Sequence, residues 1–193
     1  SSDLVKVDEL VRLLRPDTTL VSVMAVNNEI GSIQPIHDIA ALLEDRPTIS
    51  FHVDAVQALA KVATEVYLPE RVDFATFSSH KFHGLRGVGF VYIKEGKKIT
   101  PLLTGGGQEK EMRSTTENVA GIAATAKALR LAMENQEAFA SKTQQMKEVI
   151  RKELANYPHV TIFSGEDHFA PHILTFGIKG VRGEVVVHAF EEF

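Results

Sequence analysis

Apolar residues recur along this chain with two periods, one helical and one extended. Within residues 8–14, Leu10, Val11 and Leu14 fall at helical spacing, and Pro16 stops the segment. Residues 20–26 form an apolar run rich in valine, the pattern of a strand buried on both faces. Pro35 opens a helix carrying Ile36, Ile39, Ala40 and Leu43, and Pro47 breaks the chain after it. Residues 49–53 predict a second buried strand, 74–78 a third and 88–93 a fourth. Gly105-Gly106-Gly107 marks a flexible loop. A long helical pattern then runs from about 118 to 156, with Val119, Ile122, Ala126, Leu129 and Met133 stepping by three and four and Met146, Ile150 and Leu154 by four. Tyr157-Pro158 ends it. Two further extended stretches, 160–163 and 172–178, precede a helix that starts near Gly183.

Strands alternating with helical segments predict an α/β fold around a mostly parallel sheet with helices on both faces. The order suggests three parts: a large domain over residues 1–125, a long connecting helix over 126–156, and the start of a small α/β domain over 157–193. In such sheets ligands sit outside the carboxyl ends of the strands. The polar clusters fall at those ends: Asn27-Asn28-Glu29 after the first strand, Asp54 after the second, and Ser78-Ser79-His80-Lys81 after the third.

Composition narrows the classes. The 193 residues are 44% hydrophobic and 24% charged, with a net charge of -4, an ordinary globular balance without the basic excess of a nucleic-acid binder. No apolar stretch approaches the roughly 18 residues of a membrane span, and the first residues lack the basic and apolar regions of a signal peptide. There are no cysteines, so there is neither a disulfide framework nor a thiolate metal site. The expected location is the cytoplasm. The start without Met and the apolar pattern at 189–193 read as cuts, so the expectation is a piece of a longer protein.

Lys81 lies between a buried strand and a loop containing Gly84, Gly87 and Gly89. A lysine becomes a Schiff-base nucleophile when its amine is held unprotonated near a carbonyl. A pyridoxal-phosphate (PLP) site needs, in addition, a carboxylate at the pyridine nitrogen, because protonation there makes the ring an electron sink. Asp54 suits that role, with Gln57 three residues on able to donate to the phenolic oxygen. Ser78 and His80 suit the phosphate, with Arg86 near. Taken singly, each has a plainer explanation. A lysine after a strand is usually solvated, an aspartate there is usually a helix N-cap, Asn27-Asn28 alone is a turn signal, and His80 with His83 lacks a third metal ligand.

The combination is more specific. The chain reads Val26-Asn27-Asn28-Glu29-Ile30-Gly31, then Gln34-Pro35, then Phe51-His52-Val53-Asp54-Ala55-Val56-Gln57-Ala58. Ser78-Ser79-His80-Lys81-Phe82-His83-Gly84 follows and leads to Gly87-Val88-Gly89. Gly105-Gly106-Gly107-Gln108-Glu109 precedes Arg113-Ser114-Thr115-Thr116-Glu117-Asn118. In this order the motifs resemble the class V aminotransferases, and among them the cysteine desulfurases and selenocysteine lyases, over nearly the whole chain.

The resemblance implies a fold-type-I PLP-dependent transferase large domain plus the start of its small domain. It implies that Lys81 binds PLP covalently and moves protons at the substrate's α-carbon. Asp54 would pair with the pyridine nitrogen, Gln57 with the phenolic oxygen, and Ser78 and His80 with the phosphate. Asn28 would contact the substrate carboxylate and the cofactor oxygen, and His52 would support Asp54. Thr116 would reach the phosphate bound in the other subunit, which implies a homodimer. The implied reaction converts L-cysteine to L-alanine and hands sulfur to an acceptor protein, for iron–sulfur clusters or thiolated tRNA. No direct nucleic-acid or membrane contact is expected. The alternatives are a selenocysteine lyase, acting on selenocysteine, or another class V aminotransferase, and, from a different class, a non-catalytic scaffold of the same fold.

Three loops depart from the family. Ser79 stands for a glycine, Leu85 for a proline and Thr115 for a glycine, each a position where a special backbone conformation is lost. The cysteine that takes sulfur in these desulfurases is missing, since the chain has none. The expectation is therefore a fragment that cannot turn over alone.

Overall fold

A computed structural model of the chain describes residues 4–191. Parts of the two terminal stretches read above, residues 1–3 and 192–193, lie outside the described residues. The main sheet has the order β1-β2-β3-β4, with β1 Leu20–Met24, β2 Ser50–Asp54, β3 Phe74–Ser78 and β4 Gly89–Ile93. β1, β2 and β3 pair in parallel and β4 returns antiparallel, which is the mostly parallel α/β sheet expected. Parallel neighbours need crossovers. Helix α2, Ile36–Leu43, lies between β1 and β2 in the chain, and the short α3, Thr64–Tyr67, lies between β2 and β3. Helix α1, Val7–Leu13, precedes β1 and packs on α2.

Pro35 stands at the N-cap of α2, where a missing N–H costs little. The stripe Ile36, Ile39, Ala40 and Leu43 is buried, and it joins Val21, Phe51, Val53, Ala75 and Phe77 of the strands in one core. The strands are not buried on both faces as their apolar runs predicted. They alternate: Phe51 and Val53 are fully buried, whereas Leu20 is 54% and Met24 39% exposed. Successive side chains point to opposite faces, and the side carrying Leu20, Ser22, Met24, His52, Asp54 and Thr76 is less covered by the described residues.

A buried charge fastens the amino-terminal end of this sheet. Asp73, 2% exposed, accepts the Phe51 N–H at 2.8 Å and Arg71 Nη1 at 2.8 Å on one oxygen, and meets Lys97 Nζ at 3.1 Å on the other. Burial alone raises its pKa, but the Phe51 amide, Arg71 and Lys97 outweigh it and hold the carboxyl below its ordinary value. Arg71 also donates to the carbonyls of Leu43 at 3.0 Å, Ile49 at 2.7 Å and Arg46 at 3.2 Å, which satisfies the end of α2 and the loop into β2.

The helical pattern at 118–156 resolves into two helices, α4 Val119–Glu134 and α5 Gln136–Leu154. They break at Asn135, at φ -107° and ψ 7°, whose side chain donates to the Leu131 carbonyl at 2.7 Å. An asparagine amide competes with the backbone in this way, while apolar periodicity runs on across it. Asn118 caps α4, its Oδ1 accepting the Gly121 N–H at 3.0 Å.

A second, two-stranded antiparallel sheet pairs β5 Val160–Ile162 with β6 Phe176–Ile178, and α6 Gly183–Phe190 follows. The extended pattern at 172–178 is a strand only in its second half. The segment before it docks on the loop after β1: the Ile33 N–H meets the His168 carbonyl at 2.7 Å, the Ala170 N–H meets the Gly31 carbonyl at 2.7 Å, and the Ser164 hydroxyl meets the Ile30 carbonyl at 2.7 Å. Gly31 is needed there, because its φ is +83° and a Cβ would lie 2.8 Å from Ile173 Cβ.

Asp73→Asn is expected to lower unfolding stability by about 3 kcal/mol at pH 7, by leaving Arg71 and Lys97 without their charge partner. Because the folded-state pKa is depressed, this contribution is present above the unfolded pKa and is lost as pH falls below about 4. Urea denaturation of both proteins at pH 7 and pH 3 checks this; an equal difference at the two pH values contradicts it.

Candidate functional site

The site is built where β2 and β3 end. Asp54 is the last residue of β2, in register with Met24 of β1 and Thr76 of β3. The ladder runs one step further, the Ala25 N–H meeting the Asp54 carbonyl at 2.8 Å and the Ala55 N–H meeting the Thr76 carbonyl at 3.1 Å. Asp54 Oδ1 then accepts the Val56 N–H at 3.0 Å. This is an Asx turn, and it bends the chain so that Gln57 follows in the turn, half-buried.

Ser78 ends β3, and Ser79–Phe82 form a single 3-10 turn that carries exposed His80 and half-buried Lys81. His83, at φ 66°, closes it in the left-handed region. Ser79 is fully buried and shares a 2.9 Å hydrogen bond with Thr125 of α4. Opposite it stands Gly84, where a Cβ would fall 1.9 Å from the Ser79 hydroxyl. The serine that replaces the family's glycine thus has a built place.

Asp54 and Ser78 end adjacent strands, Gln57 follows in the turn after Asp54, and His80 and Lys81 follow in the turn after Ser78, so the polar clusters stand after the strands to which the sequence pattern assigns them. Asn28 is exposed at the end of β1, in a turn tied by Asn27 Oδ1, which accepts the Glu29 and Ile30 N–H groups at 2.9 Å each. Thr116 lies apart in the chain, exposed on the loop leading into α4. His52 precedes Asp54 on the same face of β2. Its ring nitrogens meet Ser22 Oγ at 2.7 Å and Thr76 Oγ1 at 3.1 Å. Burial lowers its pKa, and the Asp54 charge opposes that. Neither Ser22 nor Thr76 was singled out from the sequence; the signal available was a hydroxyl at alternate positions in an apolar strand.

Beyond Lys81 lies a cavity of about 320 Å³ lined by Ala60, Lys61, Phe82, Ala128 and Phe139 among others. Lys61 and His172 are the second group that sequence reading missed. Lys61 Nζ and both ring nitrogens of His172 are buried without a hydrogen-bond partner among the described residues. Burial, and then the charge on Lys81, lowers Lys61 to about 8. Burial, then Lys61 and Lys147, lowers His172 to about 4. Lys147 finds the Ala170 carbonyl at 2.9 Å. The one hint in the sequence is that Lys61 interrupts the apolar stretch Ala58-Leu59-Ala60. Among the described residues, no three His, Asp or Glu side chains converge as a metal site, and no helix is long and apolar enough to cross a membrane.

A family model described as aminotransferase class-V matches residues 1–192. The chain is 52% identical over 186 residues to a "NifS/IcsS protein homolog" of Lactobacillus delbrueckii subsp. bulgaricus, covering 96% of this chain and 48% of that protein. It is 40% identical over 186 residues to the "Cysteine desulfurase IscS" of Clostridium botulinum, covering 95% and 46%. Among solved structures, a "NifS-like protein" superimposes with a TM-score of 0.92 at 37% identity, covering 98% of this chain and 52% of that one. DndA from Streptomyces lividans does so at 0.84 and 30%, covering 98% and 54%. The chain therefore spans about half the length of the curated relatives it matches.

His172, half-buried with both ring nitrogens out of solvent, is expected to set an acid dependence of stability. Its pKa is 6.5 ordinarily and about 4 in the fold, so the unfolded chain binds its proton first as pH drops. Stability should fall between those two values and change no further on this account below them. In urea titrations at pH 7 and pH 4.5, His172→Asn should lose less stability than the wild type; an equal loss contradicts the assignment.

Proposed function

This chain belongs to the class V aminotransferase family, and we propose that it is the lysine-bearing half of a PLP-dependent cysteine desulfurase, which takes sulfur from L-cysteine and leaves L-alanine. The observation that carries this reading is the placement of Asp54 and Ser78 at the carboxyl ends of two adjacent parallel strands, with Gln57 in the turn after Asp54 and His80 and Lys81 in the turn after Ser78. In this reading residues 1–125 belong to the PLP-binding large domain, 126–156, which are the rest of α4 and all of α5 rather than one helix, to the connection, and 157–193 to the start of a small domain.

The residues present fit the cofactor by their chemistry. The end of β2 offers a carboxylate and, with Gln57, an amide; the end of β3 offers a hydroxyl, an imidazole and an amine. One oxygen of Asp54 is engaged by the Val56 N–H; the other takes part in no hydrogen bond among the described residues. PLP, when bound, supplies an electron sink for charge developing at the substrate's α-carbon. Lys81 holds the cofactor and moves the α-proton. Asp54 keeps a proton on the ring nitrogen, Gln57 donates to the phenolic oxygen, and Ser78 and His80 hold the phosphate. Asn28 meets the substrate carboxylate. Thr116, exposed ahead of α4, reaches the phosphate of a second copy in a homodimer. A separate acceptor protein receives the sulfur.

Incubating the chain with PLP, reducing with borohydride and mapping peptides by mass spectrometry is expected to place a pyridoxyl group on Lys81. Lys81→Ala should abolish it. Label spread over exposed lysines, or retained in Lys81→Ala, would sink the assignment. The 193-residue chain has no cysteine to take up sulfur, so by itself it is expected to yield no sustained alanine from L-cysteine; steady production would contradict the sulfur-relay chemistry.

A further inference from the structure

The turn after β1 is held from the far end of the chain, by residues 163–175 between β5 and β6. Ser164 is fully buried, and its hydroxyl donates to the Ile30 carbonyl at 2.7 Å while accepting the Thr175 N–H at 2.9 Å. The Thr175 hydroxyl donates to the Glu29 carbonyl. The Ala170 N–H donates to the Gly31 carbonyl at 2.7 Å. From within the turn, Asn27 Oδ1 accepts the Glu29 and Ile30 N–H groups, and the Asn27 carbonyl accepts the Gly31 N–H at 3.0 Å. Asn28 is exposed in this turn and takes part in no hydrogen bond among the described residues. The holding segment is itself fixed to α5. Lys147, 5% exposed, donates to the Ala170 carbonyl at 2.9 Å, and Arg151 donates to the Ser164 carbonyl.

We propose that Ser164 and Thr175 are positioning residues for Asn28, forming with α5 a clamp that sets where the turn after β1 stands. The bearing of the clamp on substrate rests on the reading of Asn28 as the group that meets the substrate carboxylate.

A loop that only packs on another does so through apolar contact, which fixes separation better than direction. Here the contacts are hydrogen bonds to three consecutive carbonyls, those of Glu29, Ile30 and Gly31, and hydrogen bonds constrain angle as well as distance. Removing the Ser164 hydroxyl leaves both the Ile30 carbonyl and the Thr175 N–H without the partner they have. The two hydroxyls reach residues 134 and 146 positions away in the chain, so the turn has no local substitute for them. Asn27 shapes the turn from within, and residues 163–175 decide where that shape lies. Ser164 is the joint: its carbonyl is tied to α5, and its hydroxyl to the turn and to the entry of β6. With the backbone on either side of it engaged, Asn28 is left to meet a ligand from a fixed base.

The test uses the 193-residue chain. Nitrogen-15 relaxation of the cofactor-free protein is expected to give Asn28 a backbone order parameter of about 0.85, as in rigid backbone, and below about 0.6 in Ser164→Ala with Thr175→Val. Phe51 and Val53 of β2 should keep their wild-type order. Thr175→Val alone, isosteric and away from the buried hydroxyl, should lower the order of Asn28 part of the way, and Thr175→Ser should keep it. Unchanged order at Asn28 in the double variant overturns the clamp. If the double variant loses order throughout β2, Thr175→Val alone decides, and an unchanged Asn28 there overturns the clamp. A second arm separates this inference from the proposed function. With PLP, the double variant should take the borohydride label on Lys81 as the wild type does. It should bind L-alanine, read by the absorbance of the unreduced cofactor, about tenfold more weakly, the low end for one hydrogen bond to a charged group. Thr175→Ser should bind L-alanine as the wild type does. Intact labelling with unchanged L-alanine affinity leaves the cofactor reading standing and overturns the positioning role. If wild-type Lys81 takes no label, the cofactor reading falls, and the order of Asn28 alone decides the clamp.

Discussion

Parallel pairing of β1, β2 and β3, with Met24 beside Asp54 and Asp54 beside Thr76, is the constraint on which the rest of the molecule depends. Side chains alternate along a strand, so a slip of one residue exchanges the two faces. Such a slip in β2 would turn His52 and Asp54 into the core and bring Phe51 and Val53 out of it. Phe51 and Val53 are fully buried, and exposing each costs roughly 1.5–3 kcal/mol. Putting an aspartate among apolar side chains without partners costs more. The apolar residues at odd positions therefore fix where the polar residues at even positions stand. The chemistry on the open face inherits its geometry from packing on the closed one.

The two ends of the same strands are treated differently. At the amino end Asp73 is buried with a backbone amide, Arg71 and Lys97 all satisfied, and Arg71 passes the connection on to α2 and to the loop before β2. Nothing there is left wanting a partner, as suits a part whose task is to hold. Toward the carboxyl end lie Lys81, a carboxylate with one oxygen in no hydrogen bond among the described residues, and Lys61, which like His172 has no partner among the described residues. Buried polar groups without partners are costly and uncommon. Lys61 lies beside Lys81, away from the Asp73 cluster and toward the sheet end at which ligands ordinarily bind in such folds.

How much of this could be read in the sequence varies with the range of the interaction. β3 was predicted with the bounds it has, because Phe74–Ser78 is short, β-rich and clearly delimited. α3 was not, since four residues are too few to display a period. The long helix was read straight through Asn135, because periodicity reports a face and not the local bond by which an asparagine ends it. That Asp54, Gln57, Ser78, His80 and Lys81 stand at or just after strand ends was legible, because polar residues follow the apolar runs that form the strands. Lys61 and His172 were not, since they are far apart in sequence and become remarkable only once both are buried among other bases. Ser22 and Thr76 look like tolerated hydroxyls in apolar strands until the fold hydrogen-bonds one to each ring nitrogen of His52.

The lysine turn shows how a departure from the family pattern is absorbed. A glycine is demanded only where the backbone is left-handed or a neighbour comes too close. In this turn the left-handed position is His83, not Ser79, so a side chain at 79 meets no backbone penalty. The close approach falls at Gly84, which has no Cβ to collide with the Ser79 hydroxyl. That hydroxyl in turn bonds Thr125, fastening the turn to the second half of α4's first two turns. A buried hydroxyl needs such a partner, so Ser79, Gly84 and Thr125 make sense only together. The substitution leaves Lys81 on a turn held by α4 as well as by β3, and the loop that carries Thr116 runs directly into that same helix.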